Sequence, residues 1–218
     1  MINVVCFKWG TEFSAEYVNK LFRGIQRHST IPLNFICYTD DPTGVDCETR
    51  PFVEPLMHWW YIIGLFNPAH GFKEKTVYFD LDTVILQNID HILSMDVEFA
   101  TLRDFYRPYG LQTACILWEP EWGVFIWERL KSQYSSLLDY QTLLKFDGGT
   151  NRFLEESVGT GPTITRIQDR FPDHCISYKV HIRDKQRPCN FDQARIVFFH
   201  GKPRPHEVTE KWLLENWT

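Results

Sequence analysis

The feature that most constrains this chain is the run Val77-Tyr78-Phe79-Asp80-Leu81-Asp82-Thr83-Val84-Ile85-Leu86, an apolar stretch interrupted by two carboxylates one residue apart. Read as extended chain, it puts residues i and i+2 on one face, so Asp80 and Asp82 are expected to point the same way. Two carboxylates side by side repel each other unless a cation lies near them. Oxygen donors select hard cations such as magnesium or manganese, whose open positions phosphate oxygens then complete. An isolated Asp-x-Asp also fits a strand end whose aspartates cap a turn, so its surroundings have to decide.

Those surroundings are layered. Residues 3–7 are apolar, residues 14–27 carry apolar side chains at helical spacing (Tyr17, Val18, Leu21, Phe22, Ile25), and residues 33–38 are apolar again, which predicts a strand, a helix and a strand. Ser14 marks the helix start. The second strand runs into Thr39-Asp40-Asp41-Pro42-Thr43-Gly44, a turn beyond a strand's carboxyl end, where open α/β sheets bind ligands. A short helix is expected over 59–66, a strand over 75–79 ending in the aspartates, and strands over 99–103 and 113–118. Residues 122–156 turn helical, with Trp122, Phe125, Ile126 and Leu130 on one face and Leu137, Leu138, Leu143 and Leu144 on another. Short strands at 175–178 and 196–199 and a closing helix over 207–217 complete an α/β pattern with no repeat or long linker.

At 218 residues the chain fits one domain, with a nucleotide-binding half over about 1–105 and an acceptor and closing half over about 106–218. Aromatic residues make up 16% of it, enough to fill a core and leave rings to line a cleft. A formal charge of −5 offers no global field for nucleic acid. The six cysteines form no Cys-x-x-Cys pair, which speaks against zinc and for free thiols in a reducing compartment. Without a signal-like start or an apolar run of about 18 residues, a cytoplasmic protein with no transmembrane segment is expected.

A second polar terminus follows another apolar strand, in Ile196-Val197-Phe198-Phe199-His200-Gly201-Lys202-Pro203-Arg204-Pro205. His200 can be a third metal ligand, Gly201 allows close backbone approach, and Lys202 or Arg204 can neutralise a diphosphate. Taken singly, each of these residues also fits a solvated turn.

Together these residues resemble glycosyltransferases of the GT-A fold, in particular the retaining glycosyltransferase family 8 and related small bacterial and phage-type enzymes. The likeness is carried by Phe7-Lys8-Trp9-Gly10, Tyr38-Thr39-Asp40-Asp41, Trp59-Trp60, residues 78–82, Leu102-Arg103-Asp104-Phe105, Ile176-Ser177-Tyr178-Lys179 and residues 199–205. It implies a Rossmann-like α/β domain with a mixed, mostly parallel central sheet flanked by helices. It further implies that Asp80, Asp82 and His200 hold Mn2+ or Mg2+ on the diphosphate of a nucleotide sugar, usually UDP-linked, and that Lys202 or Arg204 touches phosphate. Phe7, Lys8 and Asp40 match the nucleoside pocket, and Asp104 the contact to the donor sugar. Asn151 stands where relatives carry an Asp-Gln pair near the sugar's reactive face, and Ile62 stands in a stretch where many relatives carry Lys or Arg. The acceptor implied is a hydroxyl of a glycan, a lipid-linked saccharide or another molecule. A retaining enzyme needs no protein base, whereas an inverting one would draw on Asp104 or Asp147. Two rival readings are a phosphatase or phosphotransferase of the haloacid dehalogenase type, which also ends a strand in Asp-x-Asp, and a binding module of the same fold without turnover.

Overall fold

In the computed structural model, residues 1–54, 56, 58–133, 147–159 and 164–218 are described. β1 (Ile2–Lys8), α1 (Ala15–His28) and β2 (Leu33–Thr39) form the expected unit, with the strands parallel in register from Ile2 opposite Leu33 to Lys8 opposite Thr39. Ser14 takes the extended N-cap conformation, and Glu16 at the start and Arg27 and His28 at the end suit the helix dipole. β3 (Glu48–Arg50), too short for periodicity to betray, extends the sheet beyond β2. The helix expected over 59–66 is a 3-10 turn (His58–Trp60) running into α2 (Tyr61–Gly64).

β4 (Thr76–Phe79) joins the other side of β1, followed by β5 (Thr83–Ile85), α3 (Asp90–Leu93), β6 (Phe99–Arg103), β7 (Leu111–Trp118) and α4 (Pro120–Gln133). α5 (Gly149–Val158), β8 (Thr165–Arg166), α6 (Ile167–Arg170) and β9 (Cys175–Ser177) follow. A π-helical turn (Tyr178–Arg183), β10 (Ile196–Phe198) and α7 (Lys211–Asn216) close the chain. α4 and α5 occupy the two ends of the long helical stretch; Leu137, Leu138, Leu143 and Leu144 lie outside the described residues.

The main sheet has the order β3-β2-β1-β4-β7-β6-β8, parallel except where β7 runs against β4 and β6. Its strands alternate between two cores. Val4, Cys6, Val77, Phe79, Cys115 and Leu117 face the core under α1, while Val5, Tyr78, Ile116 and Trp118 face the core under α2, α4 and α5. Burial on both faces is what makes these strands read as unbroken apolar runs. The three-stranded sheet β5-β10-β9 shares the α1 core through Ile85, Cys175, Ile196 and Phe198, and packs Val84, Ile176 and Val197 with Leu213 of α7 on its other face.

The Asp-x-Asp run is therefore not one strand, as the sequence suggested. β4 pairs in the main sheet and β5 in the small one, and the chain turns at residues 80–82 to change sheets. A carboxylate within either doubly covered sheet would lose its water without gaining a partner, whereas at the switch both aspartates reach an open cavity. Among the described residues, all six cysteines are free, and no helix is long and apolar enough to cross a membrane.

α1 presses Gly24 against β5, where an added Cβ would stand 3.6 Å from Ile85 Cβ and Cγ1, ordinary contact. Gly24→Ala should therefore stabilise the fold by about 0.5–1 kcal/mol through helix propensity, read as a higher urea midpoint with unchanged slope.

Candidate active site

A cavity of about 480 Å³ opens at the carboxyl ends of β1 and β4 and the start of the antiparallel β7. Asp80, Asp82, His200, Arg204 and Glu12 supply its ionisable groups, Phe7, Trp9, Trp59 and Tyr78 its aromatic rings, and Gln112, Thr113 and Asn151 neutral polar groups. Of the residues singled out in the sequence, the fold gathers Phe7, Asp80, Asp82, Asn151, His200 and Arg204 here.

Asp80 follows β4 directly. Its backbone N–H donates to Ala114 O at 2.9 Å, and its Oδ1 accepts the hydroxyl of buried Tyr78. Burial drives its carboxyl up to about 6, against the pull of the tyrosine. Asp82 is only 7% exposed, and burial together with the neighbouring Asp80 raises its carboxyl well above the usual range. Arg204 offsets part of this from Nη1, 3.8 Å from Asp82 Oδ2. Its guanidinium lies 4.1 Å over the Phe13 ring and also pairs with Glu12, so it is fixed before any ligand arrives.

His200 enters from two residues past β10. Ser177 Oγ accepts the N–H of Val180 at 3.1 Å and is hydrogen-bonded to His200 Nε2 at 2.6 Å. Phe105 stacks on the imidazole at 5.6 Å. Burial, then the positive charge of Lys179, lowers His200 to about 4 and keeps it neutral, the form in which histidine ligates metals. Lys179 approaches Gly201, whose φ of +76° suits glycine and whose Cβ, if present, would stand 3.3 Å from the ammonium. Nothing in the sequence pattern pointed to Glu12 or Phe13 as supports, and Ser177, although it lies in the segment 176–179, carried no role there.

Asn151, on α5, accepts from Thr113 through both backbone N (3.0 Å) and Oγ1 (2.8 Å), which leaves its amide hydrogens for the cavity. Trp9, Trp59, Ile62 and Gly201 also line the cavity, whereas Lys8, Asp40, Lys202 and Asp104 lie outside the lining. Lys8 is buried and donates to Asp41 O at 3.2 Å, Asp40 accepts from Gly10 N at 3.0 Å, and Lys202 is exposed, 3.8 Å from Glu207. Asp104 is buried with both oxygens engaged: Oδ1 accepts from Tyr106 N and Arg107 N, and Oδ2 from Arg107 Nε and Nη2 at 2.9 and 2.7 Å. Arg107 in turn bonds Glu155 at 2.7 Å, tying this loop to the helix that carries Asn151.

A divalent cation fits the chemistry of these acidic residues, since a half-buried and a buried carboxylate with incomplete charge compensation and a neutral imidazole are hard-to-borderline donors. Among the described residues, no three His, Cys, Asp or Glu side chains stand close enough to enclose an ion as the structure lies. His200 Nε2 would have to exchange its serine bond to join the two aspartates.

No protein-family model and no curated protein sequence matches this chain. Solved structures match it in shape. The glycosyltransferase GlyE of Streptococcus pneumoniae TIGR4 superposes with a TM-score of 0.70 at 13% identity, over 100% of this chain and 62% of GlyE. The galactosyltransferase LgtC, in complex with donor and acceptor sugar analogues, superposes with a TM-score of 0.60 at 10% identity, over 93% of this chain and 88% of LgtC. The bifunctional glycosyltransferase WbbM gives a TM-score of 0.63 at 11% identity over 100% of this chain and 49% of its own. The chain thus spans less than two thirds of GlyE and about half of WbbM. At these identities the likeness is one of fold, and the fold is GT-A.

Because Asp80 is raised to about 6 from an unfolded value of about 3.9, the stability it contributes when protonated is lost as pH rises through about 6. In chelator, Asp80→Asn should flatten the fall in stability between about pH 4 and 7 and raise the unfolding free energy at neutral pH by about 1–3 kcal/mol, the upper end being the full linkage and the lower end allowing for the weakened Tyr78 bond, as followed by urea titration.

Proposed function

We propose that this protein is a glycosyltransferase that moves a sugar from a UDP-linked donor to an acceptor hydroxyl with retention of configuration, assisted by manganese or magnesium. The observation that carries this is the meeting of Asp80, Asp82, His200 and Arg204 in one cavity at the strand ends of a GT-A sheet. The pattern of these residues supports a place among the retaining family 8 enzymes, and LgtC, of the same fold, is a galactosyltransferase seen in complex with donor and acceptor sugar analogues.

Asp80, Asp82 and His200 would hold the cation, which when bound supplies Lewis-acid stabilisation of the departing diphosphate. Arg204, immobilised by Glu12 and Phe13, adds a fixed positive charge beside Asp82 where charge develops on the leaving oxygen. Lys179 adds a second from the far side of Gly201. The base and ribose lie along Phe7, which is stacked on Tyr78 at 5.7 Å. Asn151, its oxygen fixed by Thr113, directs amide hydrogens at the sugar.

The proton balance favours retention. Among the described residues, the carboxylates lining the cavity are Glu12, paired with Arg204, and the two aspartates assigned to the cation. Asp104 is clamped by Arg107, and neither it nor Asp147 lines the cavity. As the bond from the anomeric carbon to the phosphate oxygen breaks and the bond to the acceptor oxygen forms, the acceptor proton passes to an oxygen of the departing diphosphate. The haloacid dehalogenase reading lacks its second acidic pair in this cavity.

Manganese should raise the thermal midpoint of the wild-type protein, and a panel of nucleotide sugars should show manganese-dependent nucleotide release. Asp82→Asn should abolish the midpoint shift and lower release by about 100-fold or more. Phosphate release from simple esters would replace this reading with a phosphatase, and nucleotide-sugar binding without release would replace it with a binding module.

A further inference from the structure

Two rings of the cavity lining, Trp9 and Trp59, are not used by the transfer step above. A line of neighbouring residues leads to them from the catalytic end. Asp80 is bonded to Ala114, the adjacent Thr113 holds Asn151, and two residues before Asn151 the left-handed Gly149 would bring a Cβ to 3.5 Å from Trp59 Nε1. The Trp59 indole is 51% exposed at this rim, while its neighbour Trp60 is completely buried. The His58 ring stands 5.6 Å from Trp59 and 4.3 Å from Trp9, and His58 has a φ of +53°, a conformation that costs energy in a residue with a side chain. A large aromatic face is thus held in water by a strained turn.

Resting on the transferase reading, we propose that Trp59, edged by His58 and Trp9, is the platform on which the acceptor stacks, and that the acceptor is a neutral pyranoside. A sugar attached to a diphosphate at Asp80 and Asp82 reaches Thr113 and Asn151. The ring that attacks it comes from the next position outward, at Trp59. A pyranose presents a face of C–H groups that is apolar and a rim of hydroxyls that needs hydrogen bonds. The exposed indole meets the first requirement, and Gln112 and the Asn151 amide meet the second. Among the described residues, the lining holds no lysine, and its one arginine, Arg204, is already paired with Glu12 rather than free for the carboxylate or phosphate of an acidic sugar.

The test is binding of the full chain, with manganese and UDP present, to an array of neutral, sialylated and phosphorylated oligosaccharides. Titration calorimetry on the retained glycan then compares wild type with Trp59→Ala and Trp59→Phe. The expected result is retention of neutral glycans, a loss of about tenfold or more in Trp59→Ala, and recovery to within about threefold in Trp59→Phe. UDP affinity should stay within about twofold in all three proteins. Retention of acidic glycans alone, retention of none, equal binding by Trp59→Ala, or a parallel loss of UDP affinity would each overturn the assignment. Failure of the transferase reading is seen separately, as no nucleotide release by the wild-type protein, and leaves the dependence of glycan binding on Trp59 to be read by itself.

Discussion

The site is organised by the mutual repulsion and burial of Asp80 and Asp82. Neither carboxylate sits comfortably in this fold: both are raised by burial, and Asp82 also by Asp80. The protein answers with partial compensation. A tyrosine hydroxyl donates to one and a braced arginine stands 3.8 Å from the other. On the function proposed above, the remaining imbalance is what a cation and the donor's phosphates would relieve. This is the usual bargain at functional positions, where local energy is worse than the rest of the structure requires.

The same constraint explains the topology around the site. A strand pair that must end in two charged groups cannot continue inside one sheet, and the turn at residues 80–82 sends the chain from the main sheet to the small one. β10 then pairs antiparallel with β5, Phe198 opposite Thr83, and Phe199 N–H donates to Asp82 O at 3.1 Å. His200 follows immediately. Its place beside the aspartates is therefore a matter of backbone register, with Ser177 setting the ring and Phe105 covering it.

Much of this was legible in the sequence where the signal was local. Apolar runs located β1, β2, β4, β6, β7 and β10, and helical spacing located α1, because doubly buried strands and one-sided helices write their burial directly into residue order. The turn inside Val77–Leu86 was not legible: apolar residues continue on both sides of the aspartates, since both sheets are buried. β3 and β8 are too short to carry a period. Within the site, Asp80, Asp82, His200 and Arg204 stood out as polar residues ending apolar strands. Asp104 stood out for the same reason, yet it serves Arg107, and sequence cannot distinguish a strand-end aspartate that faces a cavity from one that caps its own loop. Glu12, Phe13 and Ser177 bear on the site through partners 192, 191 and 23 residues away, respectively, a distance that no pattern in the chain encodes.

The pairing of β5 with β10 also dates the site in the life of the chain. Asp82 and His200 are 118 residues apart in sequence, and β5 has no partner on its β10 side until residues 196–198 are available. A chain still being synthesised can complete the β1–β4 layer and display both aspartates while β5 remains an open apolar edge, the kind of surface on which strands of other molecules add. Contacts this distant close slowly. The last strand of the chain is thus both the one that carries His200 to the cavity and the one that gives β5 its hydrogen-bonded partner, so the histidine reaches the aspartates only in a molecule whose small sheet has formed.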